Sequence, residues 1–226
     1  MDYRALALIP IAALVLSVSA ASPRLPEGWL VNSVSSGETP GADSAFDISL
    51  LPASDAGATP TLTIRSTRPL RMDMPQLGAL TQHAYGYASQ RVRFSAEMRA
   101  LGAKAWAGLY MTPGNGNVLG RAAMGAPGIE DRLPPGAPVT ADDQWQAVSV
   151  VMDAPADAPM LSVGMALVGE GQLWVRRLHF EVVGPEVPVT RSTIAIDWAQ
   201  ARQTLAVSQR TLAKLPPQAL ANARLD

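Results

Sequence analysis

His83 and His179, the acidic neighbours Glu130-Asp131 and Asp142-Asp143, and the turn Gly114–Asn117 carry the residue types of this chain most suited to chemistry. Each meets a chemical requirement only in part. A Ser-His-Asp triad can assemble from distant segments, but the Gly-x-Ser-x-Gly elbow that presents a nucleophile is missing, as is the His-Glu-x-x-His of a zinc hydrolase. His179 alternates with Leu178 and Phe180, so it reads as a surface residue on a strand whose other face is core. A glycosidase holds two carboxylates a fixed distance apart across a sugar. Adjacent acids on a loop do not do this, and neither pair has the alternating oxygen ligands of a calcium loop. Both read as solvated turns. Gly114–Asn117 lacks the Gly-Lys-Ser/Thr and the following helix of a phosphate loop, and reads as a hairpin turn because Asn and Gly tolerate positive φ. The expectation is a protein with no catalytic residue, no metal site and no cofactor.

Binding chemistry has more to work with. Aromatic residues make up only 5% of the chain, so their placement carries weight. Trp106 and Tyr110 fall on the same side of an alternating run. Exposed, they would stack on the apolar faces of a sugar ring while Glu97, Arg99 and the Asn115 amide hydrogen-bond its hydroxyls. Buried, they are core, with Gly108 between them giving close sheet packing. Trp29, Trp145 and Trp174 each begin or flank a core strand and are expected to be largely buried.

The elements that would position these residues are strands. Phe46–Leu50 and Thr61–Arg65 alternate, and Arg91–Arg99 alternates most cleanly, with Val92, Phe94, Ala96 and Met98 on one face and Arg93, Ser95, Glu97 and Arg99 on the other. Trp106–Thr112 is a further strand. The stretch Asp143–Gly184 holds three more, near Ala147–Asp153, Met160–Val168 and Leu173–Val183, punctuated by APADAP and GEG. Arg68–Gly78 has no clear period and reads as loop. The Gly- and Pro-rich run from Gly114 to Ala141 has the look of a binding loop or an unstructured segment. No internal repeat is visible.

Both ends differ from this pattern. Pro185 and Pro188 mark a linker. Asp197 can cap a helix running to about Leu215, with Trp198, Ala201, Leu205, Ser208, Leu212 and Leu215 on one stripe and Pro216-Pro217 ending it. That stripe, with Trp198, Leu205 and Leu212 foremost, would dock on its own domain or on a protein partner. At the other end, Arg4 precedes an apolar run from Ala5 to Val18, and Val18-Ser19-Ala20 offers the small residues a signal peptidase reads. The run is shorter than the ~20 residues of a spanning helix. Cleavage after Ala20 is therefore expected, with no stable membrane anchor and a mature protein that is periplasmic or secreted.

Composition narrows the partners. The 226-residue chain is 48% hydrophobic and 16% charged, with a formal net charge of −1, which suits a packed core and gives no electrostatic reason to expect nucleic acid. It has no cysteine, which removes disulfides, thiolate metal sites and thiol nucleophiles together.

Tyr85-Gly86-Tyr87 before RVRFSAEMRA, then WAGLYM at Trp106–Met111, then the stretch from Asp143 to Val183, together resemble a family of bacterial β-sandwich modules similar to galactose-binding-like, carbohydrate-binding jelly rolls. The resemblance covers roughly residues 27–184, its strongest part being the ordered set Trp106, Trp145 and Trp174. It implies an all-β, jelly-roll-like antiparallel sandwich over residues 25–184, here with a C-terminal helical extension over 185–226. It also implies a non-catalytic module with glycans as the ligand class. Two departures stand out. Where the family carries acids after the Trp-Val pair, this chain has Arg176 and Arg177, and the family's Asp-Asn pair after the WAGLYM strand is missing. The rival expectation is a structural or protein-interaction protein that works through its C-terminal helix.

Overall fold

A computed structural model of the chain describes residues 25–34, 45–51, 59–68, 76–114 and 136–191. The signal segment, Asn115, Glu130-Asp131 and the C-terminal helix with Trp198, Leu205 and Leu212 lie outside these residues. The described chain forms strands β1 (Leu30–Val34), β2 (Phe46–Leu51), β3 (Thr61–Ser66), β4 (Leu77–Tyr85), β5 (Arg91–Leu101), β6 (Trp106–Pro113), β7 (Gly136–Pro138), β8 (Gln146–Asp153), β9 (Met160–Val168) and β10 (Gln172–Val182). They build two five-stranded sheets, in the order β1-β4-β9-β6-β7 and β2-β3-β10-β5-β8, with every pair antiparallel. The chain crosses from one sheet to the other again and again, as a jelly roll does. The all-β sandwich implied by the resemblance is the observed fold.

The period of two explains the layers. On β5, Val92, Phe94, Ala96, Met98 and Ala100 point into the space between the sheets, as do Val148, Val150 and Met152 on β8. Leu109 and Met111 on β6 and Leu161, Val163, Met165 and Leu167 on β9 meet them from the other side. Removing this apolar surface from water, at roughly 25 cal/mol per Å2, is what holds the layers together.

The strand β4 corrects the sequence reading, which left its residues without an element and ran a loop up to Gly78. LGALTQHAY sits between β1 and β9 and is buried from Leu77 to Ala84 on both faces. A strand covered on both sides has no reason to alternate, so the signal used for β5 is lacking here.

The linker after the sandwich is held in place. Thr190 N donates to Val151 O at 2.9 Å, and Val151 N donates to Thr190 Oγ1 at 2.9 Å, closing part of the free edge of β8. Arg91 bonds Asp153 and the carbonyls of Pro185 and Val187.

Candidate functional site

The two sheets present two outer faces, and the candidate residues divide between them. On the first sheet the outward positions are Thr81 and His83 of β4, Ser162 and Gly164 of β9, and Trp106, Gly108, Tyr110 and Thr112 of β6; the register sets Thr81, Gly164 and Tyr110 in one row and His83, Ser162 and Thr112 in another. Trp106 and Tyr110 do share a face, as the sequence suggests. Both are buried, at 5% and 2% exposure, so neither ring offers a platform to a sugar in this structure. Tyr110 lies across β9, where a Cβ on Gly164 would come within 2.6 Å of its ring. Its hydroxyl is hydrogen-bonded to Thr81 Oγ1, and burial pushes the phenol up to about 12. Gly108, as expected, gives close packing: a Cβ there would run into the backbone of Ala137 and Pro138 on β7.

The same face holds a polar chain that the sequence reading missed. Ser162 Oγ donates to Gly114 O at 2.7 Å, which uses its one hydrogen, so at its 2.9 Å contact with His83 Nδ1 it must accept. His83 therefore carries its proton on Nδ1. Burial pushes the imidazole pKa down, leaving Nε2 as an acceptor buried with no hydrogen-bond partner. Only the pairing of β4 with β9 brings these residues together, and no local pattern announces it.

The outer face of the second sheet is different. Register places Trp174 of β10 opposite Arg99 of β5, and Trp145, just before β8, continues that row. The Arg99 guanidinium lies between the two indoles, 4.2 Å from the Trp174 ring centre and 5.5 Å from that of Trp145. Arg176 covers Trp145 at 3.9 Å. These are cation–π distances, within reach of the negative face of the ring. Trp145 and Trp174 are half-buried, which corrects the expectation that they belong to the core. They flank core strands but occupy outward positions, beside Gln146 and Val175 rather than in their rows.

A bulge completes the group. Between Arg176 and His179 β10 has one residue more than β5, and Arg177 takes a left-handed backbone with φ 53°. Consecutive residues of a regular strand face opposite ways; the bulge turns Arg177 to the same side as Arg176. Glu97 then accepts from Arg176 Nε at 2.8 Å and from Arg177 Nη1 at 2.6 Å. The hydrogen bond from Arg176 above all holds the Glu97 carboxyl below its ordinary range, with Arg177 adding to it against the opposing pull of burial. Asp143 Oδ1 stands 3.4 Å from Arg99 Nε. Its neighbour Asp142 accepts from Thr140, Gln144 and Gln146 and orders the turn that carries Trp145.

Of the sequence-derived set, then, Glu97 and Arg99 come together with each other but not with Trp106 and Tyr110, which lie on the opposite side of the sandwich. Their aromatic partners are Trp145 and Trp174. The two histidines are likewise on different sheets, so no site contains both. Among the described residues no three His, Asp or Glu side chains gather as a metal site would require.

No protein-family model matches the chain. Over 104 residues it is 28% identical to an uncharacterized HTH-type transcriptional regulator, YbfP, of Bacillus subtilis, a match covering 46% of this chain. The chain spans about a third, 32%, of that relative's length. Solved structures similar to it are mostly carbohydrate-binding β-sandwiches. They include the CBM22-1–GH10 modules of xylanase 10B from Clostridium thermocellum complexed with xylohexaose (TM-score 0.43, 11% identity, 74% of this chain and 28% of that one). The CBM22-1 xylan-binding domain of Paenibacillus barcinonensis Xyn10C is another (TM-score 0.39, 11% identity, 72% and 90%). A third is the enzymatically active domain of bacteriophage CBA120 tailspike protein 4 (TM-score 0.44, 8% identity, 70% and 20%). The ligands and activities in these names belong to those proteins.

Proposed function

We propose that this protein is a non-catalytic, extracytoplasmic binding module for carbohydrate, and that it binds through the outer face of the second sheet. The observation that carries this reading is the row Trp145–Arg99–Trp174, two half-exposed indoles held apart by a guanidinium and flanked by Arg176, Arg177 and Glu97. With guanidiniums over their faces, the indoles give apolar area to a sugar ring through their exposed rims, while guanidinium and carboxylate groups give directed hydrogen bonds to hydroxyls. All but Trp145 are placed by strands, and the turn that carries Trp145 is ordered by Asp142, so little order remains to be imposed on binding. Residues 25–184 form the binding domain, residues 1–20 direct export with cleavage after Ala20, and residues 185–226 are a linker and helix.

A glycan array probed with the mature chain tests the reading, with Trp174→Ala as the site variant and Trp106→Ala as the fold control. Binding lost in the first and kept in folded samples of the second supports it. A folded protein that binds no sugar overturns it.

The pinned linker favours a second role beside the first. Because Thr190 is tied to Val151, whatever follows Arg191 leaves from a fixed point beside β8. A helix there, presenting Trp198, Leu205 and Leu212, would be well placed to contact a protein partner. Loss of a co-purifying partner on deletion of residues 192–226 is the expected result.

A further inference from the structure

Building on that carbohydrate reading, we infer that the sugar taken by the second sheet is acidic: a uronate residue whose carboxylate enters the fork between Arg176 and Arg177. The argument begins with the bulge. A left-handed arginine is strained, and such strain persists where the surrounding structure enforces it, commonly at binding sites. Here it brings a second guanidinium to a face where a regular strand would offer one.

The fork has already shown what fits it. Glu97, a carboxylate, bridges Arg176 and Arg177 with one oxygen on each. The flat guanidinium matches a carboxylate better than any neutral group does. Arg177 is 60% exposed, so the outer rim of the fork opens to solvent. Next to it, Arg99 is only loosely compensated: Asp143 stands at 3.4 Å, and Arg99 Nε is buried without a hydrogen-bond partner. In direct contact, Arg99, Arg176 and Arg177 face only the two carboxylates of Glu97 and Asp143, while Asp142 is bonded within its own turn to Thr140, Gln144 and Gln146. An incoming carboxylate would share or replace Glu97 on the two guanidiniums while its ring lies along Trp174.

The test is calorimetric titration of the mature chain with an oligouronate, with the same oligosaccharide after reduction of its carboxyl groups, and with a sulfated neutral oligosaccharide. The oligouronate is expected to bind at least about tenfold more tightly than its reduced form, the scale of one charge-assisted contact. Arg177→Gly, which suits the left-handed backbone and so keeps the bulge, should weaken oligouronate binding by about the same factor and weaken the reduced form by distinctly less, since that form loses only a neutral contact. Glu97→Gln should tighten it, because the resident competitor is gone. Equal binding of the oligouronate and its reduced form overturns the acidic assignment while the carbohydrate reading stands. Binding of the sulfated sugar alone, or an Arg177→Gly variant with unchanged affinity, also overturns it. Failure of all three probes, together with a blank array, removes both.

Discussion

Arg177 and Glu97 meet at 2.6 Å because the strand carrying Arg177 has one residue more than its partner at that point. Without the bulge Arg177 would point between the sheets, where an unpaired guanidinium costs several kcal/mol. The extra residue thus turns a core position into a surface one and gives Glu97 its second cation.

That relationship sets an acid limit. Glu97 titrates below its ordinary range, so the stability it adds is present above the ordinary value of about 4 and is lost as pH falls through the lowered one. Thermal melts of wild type and Glu97→Gln should differ at neutral pH and converge in strong acid. A constant difference across that range would show that the carboxylate charge is not what matters.

The phenol of Tyr110 should be visible in alkali. Its value of about 12 against about 10 for a free tyrosine means that the folded state favours the neutral form. Stability is full below about pH 10 and declines as pH rises from there towards 12. In an ultraviolet titration Tyr110 should ionise last, and Tyr110→Phe should abolish that late step at a cost of about 1 kcal/mol for the lost hydrogen bond to Thr81.

Gly164 is required by the ring above it. A Cβ there meets both Tyr110 and the Leu80 carbonyl. Gly164→Ala should destabilise by about 1–3 kcal/mol in urea unfolding. Measured in a Tyr110→Ala background, the same change should cost less but not nothing, because the Leu80 backbone cannot step aside.

His83 should be neutral with its proton on Nδ1, a state that nitrogen NMR shifts distinguish from the other tautomer. Burial lowers its pKa, so its contribution is complete above the ordinary value of about 6.5 and is lost as pH falls through the lowered one. Ser162→Ala removes an acceptor from His83 and a donor from Gly114, and should cost about 1–3 kcal/mol.

The sandwich was legible where one face of a strand is wet. Val92 to Met98 on β5 reads correctly residue by residue because Arg93, Ser95 and Glu97 face outward between them. It was illegible at β4, where Leu80 and Ala84 face one way, Thr81 and His83 the other, and all four are buried. The site suffered a different loss. Glu97 and Arg99 could be chosen from β5 alone, but their aromatic partners depend on which strands pair with β5, and those are β8 and β10 rather than β6. The bulge at Arg177 is hidden for a similar reason, since alternation puts consecutive arginines on opposite faces. Glu97, 79 and 80 residues from the two arginines, gives no local hint that it will bind both.

The pinned linker has a practical side that concerns solubility. By closing part of the β8 edge, Thr190 blocks the row of backbone groups through which one sandwich could add to the sheet of another. A chain cut at Gly184, just past the end of β10, would expose that row along with the Arg91 guanidinium that now holds Pro185 and Val187. It would self-associate on concentration, whereas one cut after Arg191 would stay monodisperse. The colloidal behaviour of the domain rests on seven residues that add nothing to its core.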